Sequence, residues 1–221
     1  MALQVRCPKR LKMRSNVLGL HFQWVHSFSG LTDTFYSTLY YAWQLGALPA
    51  NGVELSARQA LVGGDYELLN RSTFAPNPDY AFLWLFKSLI GGAADAYAVS
   101  VNSSVLTTGV RVFAFSAAPS TGASHAILAL SLNRVGADFT VELAGLPAGP
   151  RVEYHLTGQP GVRGAPLLCN GVPLVPDARG QMPPWSSLGV PGGPGPLELG
   201  AASIVIATVG TGSASAGAAH N

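Results

Sequence analysis

VRVFAFSAAPSTGASHAILALSLN, residues 110–133, is the stretch on which the fold turns. Within it VRVFAFS (110–116) and HAILALSLN (125–133) place β-branched and aromatic residues at a period near two, and the Ala-Pro-Ser-Thr-Gly between them is turn chemistry. Towards the C-terminus FTVELAG (139–145), RVEYHLT (151–157) and SIVIATV (203–209) repeat the pattern. Five strands separated by turns predict a β-sandwich over residues 95–210. Residues 158–200, rich in Gly and Pro with short apolar pieces such as Leu167-Leu168, read as a long surface excursion. The tail, residues 211–221, is of low complexity and is expected to be disordered.

Towards the N-terminus the period changes to 3.6. Phe35, Leu39, Tyr40, Trp43 and Leu45 recur at helical spacing, with Thr32 as N-cap, Asp33 in the first turn and Gly46 as C-cap, which predicts a helix over 33–46. Asn77-Pro78-Asp79 introduces a second helix over 79–91, stopped by Gly91-Gly92. Apolar runs precede each helix, at 16–30 and at 53–62, and each reads as a strand leading into a loop. Strand, helix, strand, helix over 31–94 is the rhythm of a parallel sheet or barrel. The fold class is therefore α/β plus all-β, behind an atypical segment at 1–30.

Composition narrows the function classes. Charged residues make up 11% of 221, and 48% are hydrophobic, enough for a sizeable core. Five of the thirteen Lys and Arg lie between Arg6 and Arg14, and no basic face interleaved with aromatics follows, so nucleic acid is excluded as a partner. No apolar run is long enough for a transmembrane helix, and any membrane association would be peripheral. The first 32 residues hold no acidic residue, which superficially suits a transit peptide, but no continuous apolar core of a signal peptide is visible; a truncated start is the other reading. Cys7 and Cys169 are too few for a disulfide framework. His21 and His26 lack a third ligand nearby, His125 and His155 fall in predicted strands, and no metal or cofactor motif is present. Asn70-Arg71-Ser72 and Asn102-Ser103-Ser104 are N-glycosylation sequons.

One ordered string carries more. Arg58-Gln59, a few apolar residues, Gly63-Gly64, Asp65-Tyr66, Leu68-Leu69-Asn70 and then Pro76-Asn77-Pro78-Asp79-Tyr80, preceded by LTDTFYSTLYYAWQLG (31–46), resembles the heparanase-like glycoside hydrolases of family 79, plant-type members above all. The resemblance runs more loosely through Ala126–Leu130 and Leu168-Cys169-Asn170-Gly171, over roughly residues 28–210. It implies a (β/α)8 TIM barrel with a C-terminal β-sandwich, of which this chain would carry the last two βα units and the sandwich. The sandwich of such enzymes also takes an upstream strand that this chain would lack.

The resemblance further implies action on polysaccharides containing glucuronic acid, in an extracellular or secretory, lysosomal or vacuolar setting, by a retaining mechanism. That mechanism needs two carboxylates roughly 5–5.5 Å apart. The family nucleophile would stand just before the first helix, where this chain reads HFQWVHSFSG (21–30) without a glutamate, and the acid/base residue lies further upstream. No catalytic residue is therefore assigned, and the chain reads as a catalytically incomplete fragment, with a non-catalytic carbohydrate-binding or structural remnant as the alternative. By the same resemblance Tyr66 and Gln59 would line a sugar site at the C-terminal ends of barrel strands. Arg58, on the opposite strand face from Gln59, reads as structural, as does Glu54 at the strand's start. Asp65 and Glu67 flank Tyr66, but two residues of one loop do not bracket a glycosidic bond.

Overall fold

The computed structural model describes residues 2–6, 31–51, 53, 56, 60–64, 66–91, 95–97, 100–101, 109–133, 138–146 and 149–210. Among the described residues, two α-helices and twelve strands follow one another: β1 (Ala2–Arg6), α1 (Phe35–Ala50), α2 (Pro78–Leu89), β2 (Ala96–Tyr97), β3 (Ser100–Val101), β4 (Val110–Ser116), β5 (His125–Ser131), β6 (Phe139–Ala144), β7 (Arg151–Thr157), β8 (Leu168–Cys169), β9 (Val172–Pro173), β10 (Val190–Gly192), β11 (Leu197–Leu199) and β12 (Ser203–Val209). The five strands expected from sequence are β4, β5, β6, β7 and β12, three of them with the expected bounds.

An eight-stranded antiparallel sheet runs β2-β4-β5-β12-β7-β8-β9, with β10 pairing β7 as well. Its middle is built by β12, which pairs β5 from Ser203↔Ser131 to Val209↔His125 and β7 from Ile204↔Leu156 to Val209↔Arg151. Both faces of that middle are buried. On one face Phe115, Ala126, Leu128, Leu130, Tyr154, Leu156, Ile204 and Ile206 share a core with Phe35, Leu39, Phe82, Leu85 and Leu89 of the helices. On the other, Val112, Ile127, Ala129, Val205 and Ala207 meet Val141, Leu197 and Leu199. Those last three belong to a four-stranded sheet ordered β11-β6-β1-β3, in which β1 runs parallel to β6.

Several expectations are corrected. Residues 158–200 are not a loose excursion: they supply β8, β9, β10 and β11, and bury Leu167, Leu174, Leu188, Leu197 and Leu199. In the 53–62 run, residues 53, 56 and 60 carry no strand, and among the described residues of the run the β-pairing is a parallel bridge between Val62 and Leu69. Residues 54, 55 and 57–59 of that run, and the tail at 211–221, lie outside the described residues. Helix α1 starts two residues later than expected, with Thr34 as its N-cap. Asp33 falls before the helix, and its buried carboxylate pairs with the guanidinium of Arg163 in the loop after β7. Helix α2 ends at Leu89, and Gly91 follows at φ +88°.

Gly46 does not cap α1. The helix continues through it to Ala50, accommodating Pro49 in the last turn. A Cβ at Gly46 would lie 2.1 Å from the Phe113 ring of β4, so its missing side chain is what lets the helix settle on the sheet. Gly158 plays the same part beneath Phe35, whose ring carbon would be 2.6 Å from its Cβ. Helix propensity alone predicts that Gly46→Ala stabilises by about 1 kcal/mol, whereas the close approach predicts a loss of about 1–3 kcal/mol. A fall in the thermal midpoint, partly recovered by adding Phe113→Leu, is expected; a rise would show that the helix does not press on β4.

The core shared by α1, α2 and the sheet crosses the boundary at residue 94. A segment of 95–210 alone would bare the face formed by Leu128, Leu130, Leu156, Ile204 and Ile206. Such a contiguous apolar face drives association, so the excised segment is expected to elute as oligomers in size-exclusion chromatography. A monomer with cooperative unfolding would count against the shared core.

Candidate functional site

The loop that leads into α2 folds back on itself. The Leu68 and Leu69 N–H groups donate to the Ala60 and Leu61 carbonyls at 3.0 and 2.9 Å, and Leu69 also bridges Pro76. Its turn needs Gly63 and Gly64, at φ +98° and +90°. The half-buried Tyr66 ring lies over Gly64, where a Cβ would come within 3.3 Å of it.

Glu67 holds the loop closed. Its carboxylate is buried and accepts the Gly63 N–H at 2.7 Å and the Arg71 N–H at 2.9 Å, with the Arg71 guanidinium 3.3 Å away. Burial alone would raise its pKa, but the two backbone N–H donors and the Arg71 charge together bring it below the ordinary carboxylate value. Asn77 then ties the loop to α2, donating from Nδ2 to the Glu67 carbonyl at 2.7 Å and from its backbone N–H to the Leu68 carbonyl at 2.9 Å. Two residues on, Asp79 accepts the Ser37 and Thr38 hydroxyls of α1, both at 2.8 Å. Tyr66 is thus fixed through a chain of polar contacts that ends on the helix pair.

Beyond the turn the loop is open to solvent. Asn70 Oδ1 accepts the Ser72 and Thr73 N–H groups at 2.9 and 3.1 Å, leaving the sequon on an exposed turn. Phe74, at φ +55°, is 65% exposed, and Leu61 and Val62 are also exposed. Gln59, Arg58, Glu54 and Asp65, and likewise Asn102, His21, His26 and Cys7, lie outside the described residues. Glu67 is therefore the one carboxylate described within the loop, and both its oxygens are committed to structure. A retaining pair of carboxylates is not assembled here among the described residues.

Sequence reading missed a second constellation. Arg151, Glu153 and His155 alternate along β7 and so share a face. Glu153 accepts from Arg151 Nε at 2.6 Å and contacts His155 Nε2 at 2.7 Å, while Arg151 also donates to the Gly195 carbonyl at 2.8 Å. Asn170, at φ +48° beside Gly171, donates to the Glu153 and Leu188 carbonyls at 2.9 and 2.8 Å. The signal was the R-x-E-x-H spacing within a strand already recognised. The cluster fastens neighbouring segments to β7: Arg151 holds the segment after β10, and Asn170 holds the turn after β8 together with Leu188.

Cys169 is buried, and burial pushes its thiol up to about 12. It is no nucleophile at neutral pH. Burial lowers the pKa of His125, whose ring lies against Tyr97 and whose Nδ1 is 2.8 Å from the Ser124 hydroxyl. Among the described residues no three His, Cys, Asp or Glu side chains converge on a metal-sized site, and no described helix is long and apolar enough to cross a membrane.

Heparanase-like protein 2 of Arabidopsis thaliana is 33% identical over 178 residues, covering 69% of this chain and 33% of the relative. This chain is related to the heparanase-like glycoside hydrolases. The baicalin-β-D-glucuronidase of Scutellaria baicalensis is 34% identical over 131 residues, or 58% of this chain and 23% of that enzyme. The chain thus spans about a third of the length of the first of these relatives, and less of the second. No family model matches it. Among solved structures, the family 30 subfamily 8 xylanase of Clostridium acetobutylicum superposes with a TM-score of 0.54 at 13% identity, over 83% of this chain and 41% of that one. At that identity the likeness concerns the fold.

Glu67→Gln keeps the volume but gives up the charge that the Gly63 and Arg71 donors face, and is expected to destabilise by about 1–3 kcal/mol. Because the folded carboxyl titrates below the unfolded one, its stabilisation is complete above about pH 4.5 and is lost as pH falls through the lowered value. In thermal melts the gap between parent and variant should therefore close on acidification below that pH; a gap constant from pH 7 to pH 3 would remove the charge from the argument.

Proposed function

We propose that this chain is the C-terminal portion of a heparanase-like glycoside hydrolase, the last two βα units of a (β/α)8 barrel with a β-sandwich behind them. Two observations support the reading: the 33% identity to a heparanase-like relative, and the string from Arg58 to Tyr80 that resembles the family, whose described part folds as a single braced loop around Tyr66. In the complete enzyme the substrate would be an oligosaccharide or polysaccharide containing glucuronic acid, cleaved with retention, and Gln59 and Tyr66 would line the sugar site. Glycosylation at Asn70 and Asn102 fits an extracellular, secretory or vacuolar setting.

The chain by itself lacks the two glutamates that this mechanism uses. Its first acidic residue is Asp33, which is held by Arg163, and Glu67 is occupied by loop donors. Purified protein is expected not to hydrolyse a chromogenic aryl β-glucuronide above background. Turnover that drops in a Tyr66→Phe variant would put a working site at this loop and overturn the reading of missing carboxylates.

A further inference from the structure

Asn70 carries the loop's sequon on a turn whose hydrogen bonds leave one of its atoms over. Its backbone N–H donates to the Ala75 carbonyl at 2.9 Å, and its carbonyl accepts the Phe74 N–H at 2.7 Å. Its Oδ1 takes the Ser72 and Thr73 N–H groups, which fixes the carboxamide. Among the described residues Nδ2 has no acceptor, and residues 71–75 are all exposed. Phe74 is held outward beside it. Its φ of +55° is unfavourable for a bulky side chain, yet the ring is 65% exposed, so burial does not offset that cost. Leu61 and Val62 are exposed as well, and Val62 bridges Leu69, the residue before Asn70. Exposed apolar side chains thus adjoin the sequon at both of its ends, and a patch of this kind marks a contact surface.

A sugar ring can cover such a patch and stay in water. One face of an N-acetylglucosamine ring presents C–H groups, whose partial positive charge the electron-rich face of an aromatic ring attracts, while its hydroxyls remain hydrated. We propose that Asn70 carries an N-linked glycan and that its first N-acetylglucosamine lies on the Phe74 ring. This rests on the secretory setting inferred above, where the donor is a lipid-linked oligosaccharide pyrophosphate. Asn70 Nδ2 attacks C1 of that donor, the C1–O bond to the pyrophosphate breaks with its electron pair going to the phosphate oxygen, and Nδ2 gives up one proton. The attached sugar then covers Phe74 and steadies the 70–75 turn, which adjoins the part of the loop on which Tyr66 stands.

The test uses the full chain with Ser104→Ala, which silences the sequon at Asn102, sent into the secretory lumen of a host that makes high-mannose glycans. Intact mass should show one glycan, absent from a second chain that also carries Ser72→Ala. That substitution removes the sequon but keeps Asn70 and its bonds to the turn, so it separates the sugar from the turn itself. With the glycan trimmed enzymatically to one N-acetylglucosamine, the thermal midpoint should exceed that of the Ser72→Ala chain by about 2–4 °C. The difference should vanish with Phe74→Leu, which keeps an apolar side chain but no aromatic face, and persist with Phe74→Tyr. The N-acetyl methyl protons should also resonate upfield in the parent and lose that ring-current shift in Phe74→Leu. Ser72 and Phe74 are exposed, so neither substitution opens the core, and the mass of lumenal protein reports occupancy whether or not the chain is exported. An unmodified Asn70, or a midpoint difference that is absent or survives Phe74→Leu unchanged, overturns the proposal. None of these readouts depends on catalysis, so a missing contact with Phe74 leaves the glycosidase reading standing, and turnover of a β-glucuronide by this chain leaves the glycan standing.

Discussion

A sheet buried on both faces is the constraint from which the rest follows. Every residue of β12 is buried, and so is every residue of β5 after His125. Such strands read as continuous apolar runs and need a cover on each side. With each large side chain worth about 1.5–3 kcal/mol of burial, stripping one face forfeits more than the roughly 5–15 kcal/mol by which a domain is stable. The helix pair and the four-stranded sheet are therefore both obligatory. Gly46, Gly158 and Gly189 mark where a side chain would block close packing, Gly189 lying under Val152 and Tyr154 of β7.

The few charges are spent on the same task. Only 11% of the chain is charged, and each of the described acidic residues that are buried is engaged by a structural partner. Asp33 joins the approach to α1 to the loop after β7, Asp79 joins α2 to α1, Glu67 closes its loop, and Glu153 holds Arg151 and His155 in place. A buried carboxylate satisfied by hydrogen bonds has its ionised state fixed and its lone pairs engaged. Such a group is poorly suited to shuttling a proton or attacking a sugar, which is why Glu67, though it adjoins Tyr66, does not by itself make a glycosidase site.

What was legible in the sequence divides along physical lines. Strands β4, β7 and β12 were readable to the residue because seven consecutive positions express one pattern. The strands of two or three residues, β8 to β11, were not, because Pro and Gly dominate their surroundings and a neighbouring edge alone decides that they pair. Strand β1 was unreadable for the same reason, its partners lying some 94 to 138 positions away. Gly46 looked like a stop because the local rule for glycine is a cap, while the Phe113 ring that explains it belongs to another element. At the candidate site the loop around Tyr66 was visible as an ordered string, and the glutamate that organises it was seen but not its donors. Of the expected sugar-site residues, Tyr66 is among those described and Gln59 is not.

A continuous physical path links the sheet to that loop. Phe113 seats α1 through Gly46; Ser37 and Thr38 of α1 grip Asp79 at the start of α2; Asn77, one residue before α2, grips the Glu67 carbonyl; and Glu67 closes the turn on which Tyr66 stands. A site residue on a loop gains precision from the rigid elements behind it. Here those elements are not barrel strands but a helix pair clamped to the eight-stranded sheet. The sheet therefore does more than follow the helical part in sequence: it is the support from which the position of Tyr66 is set.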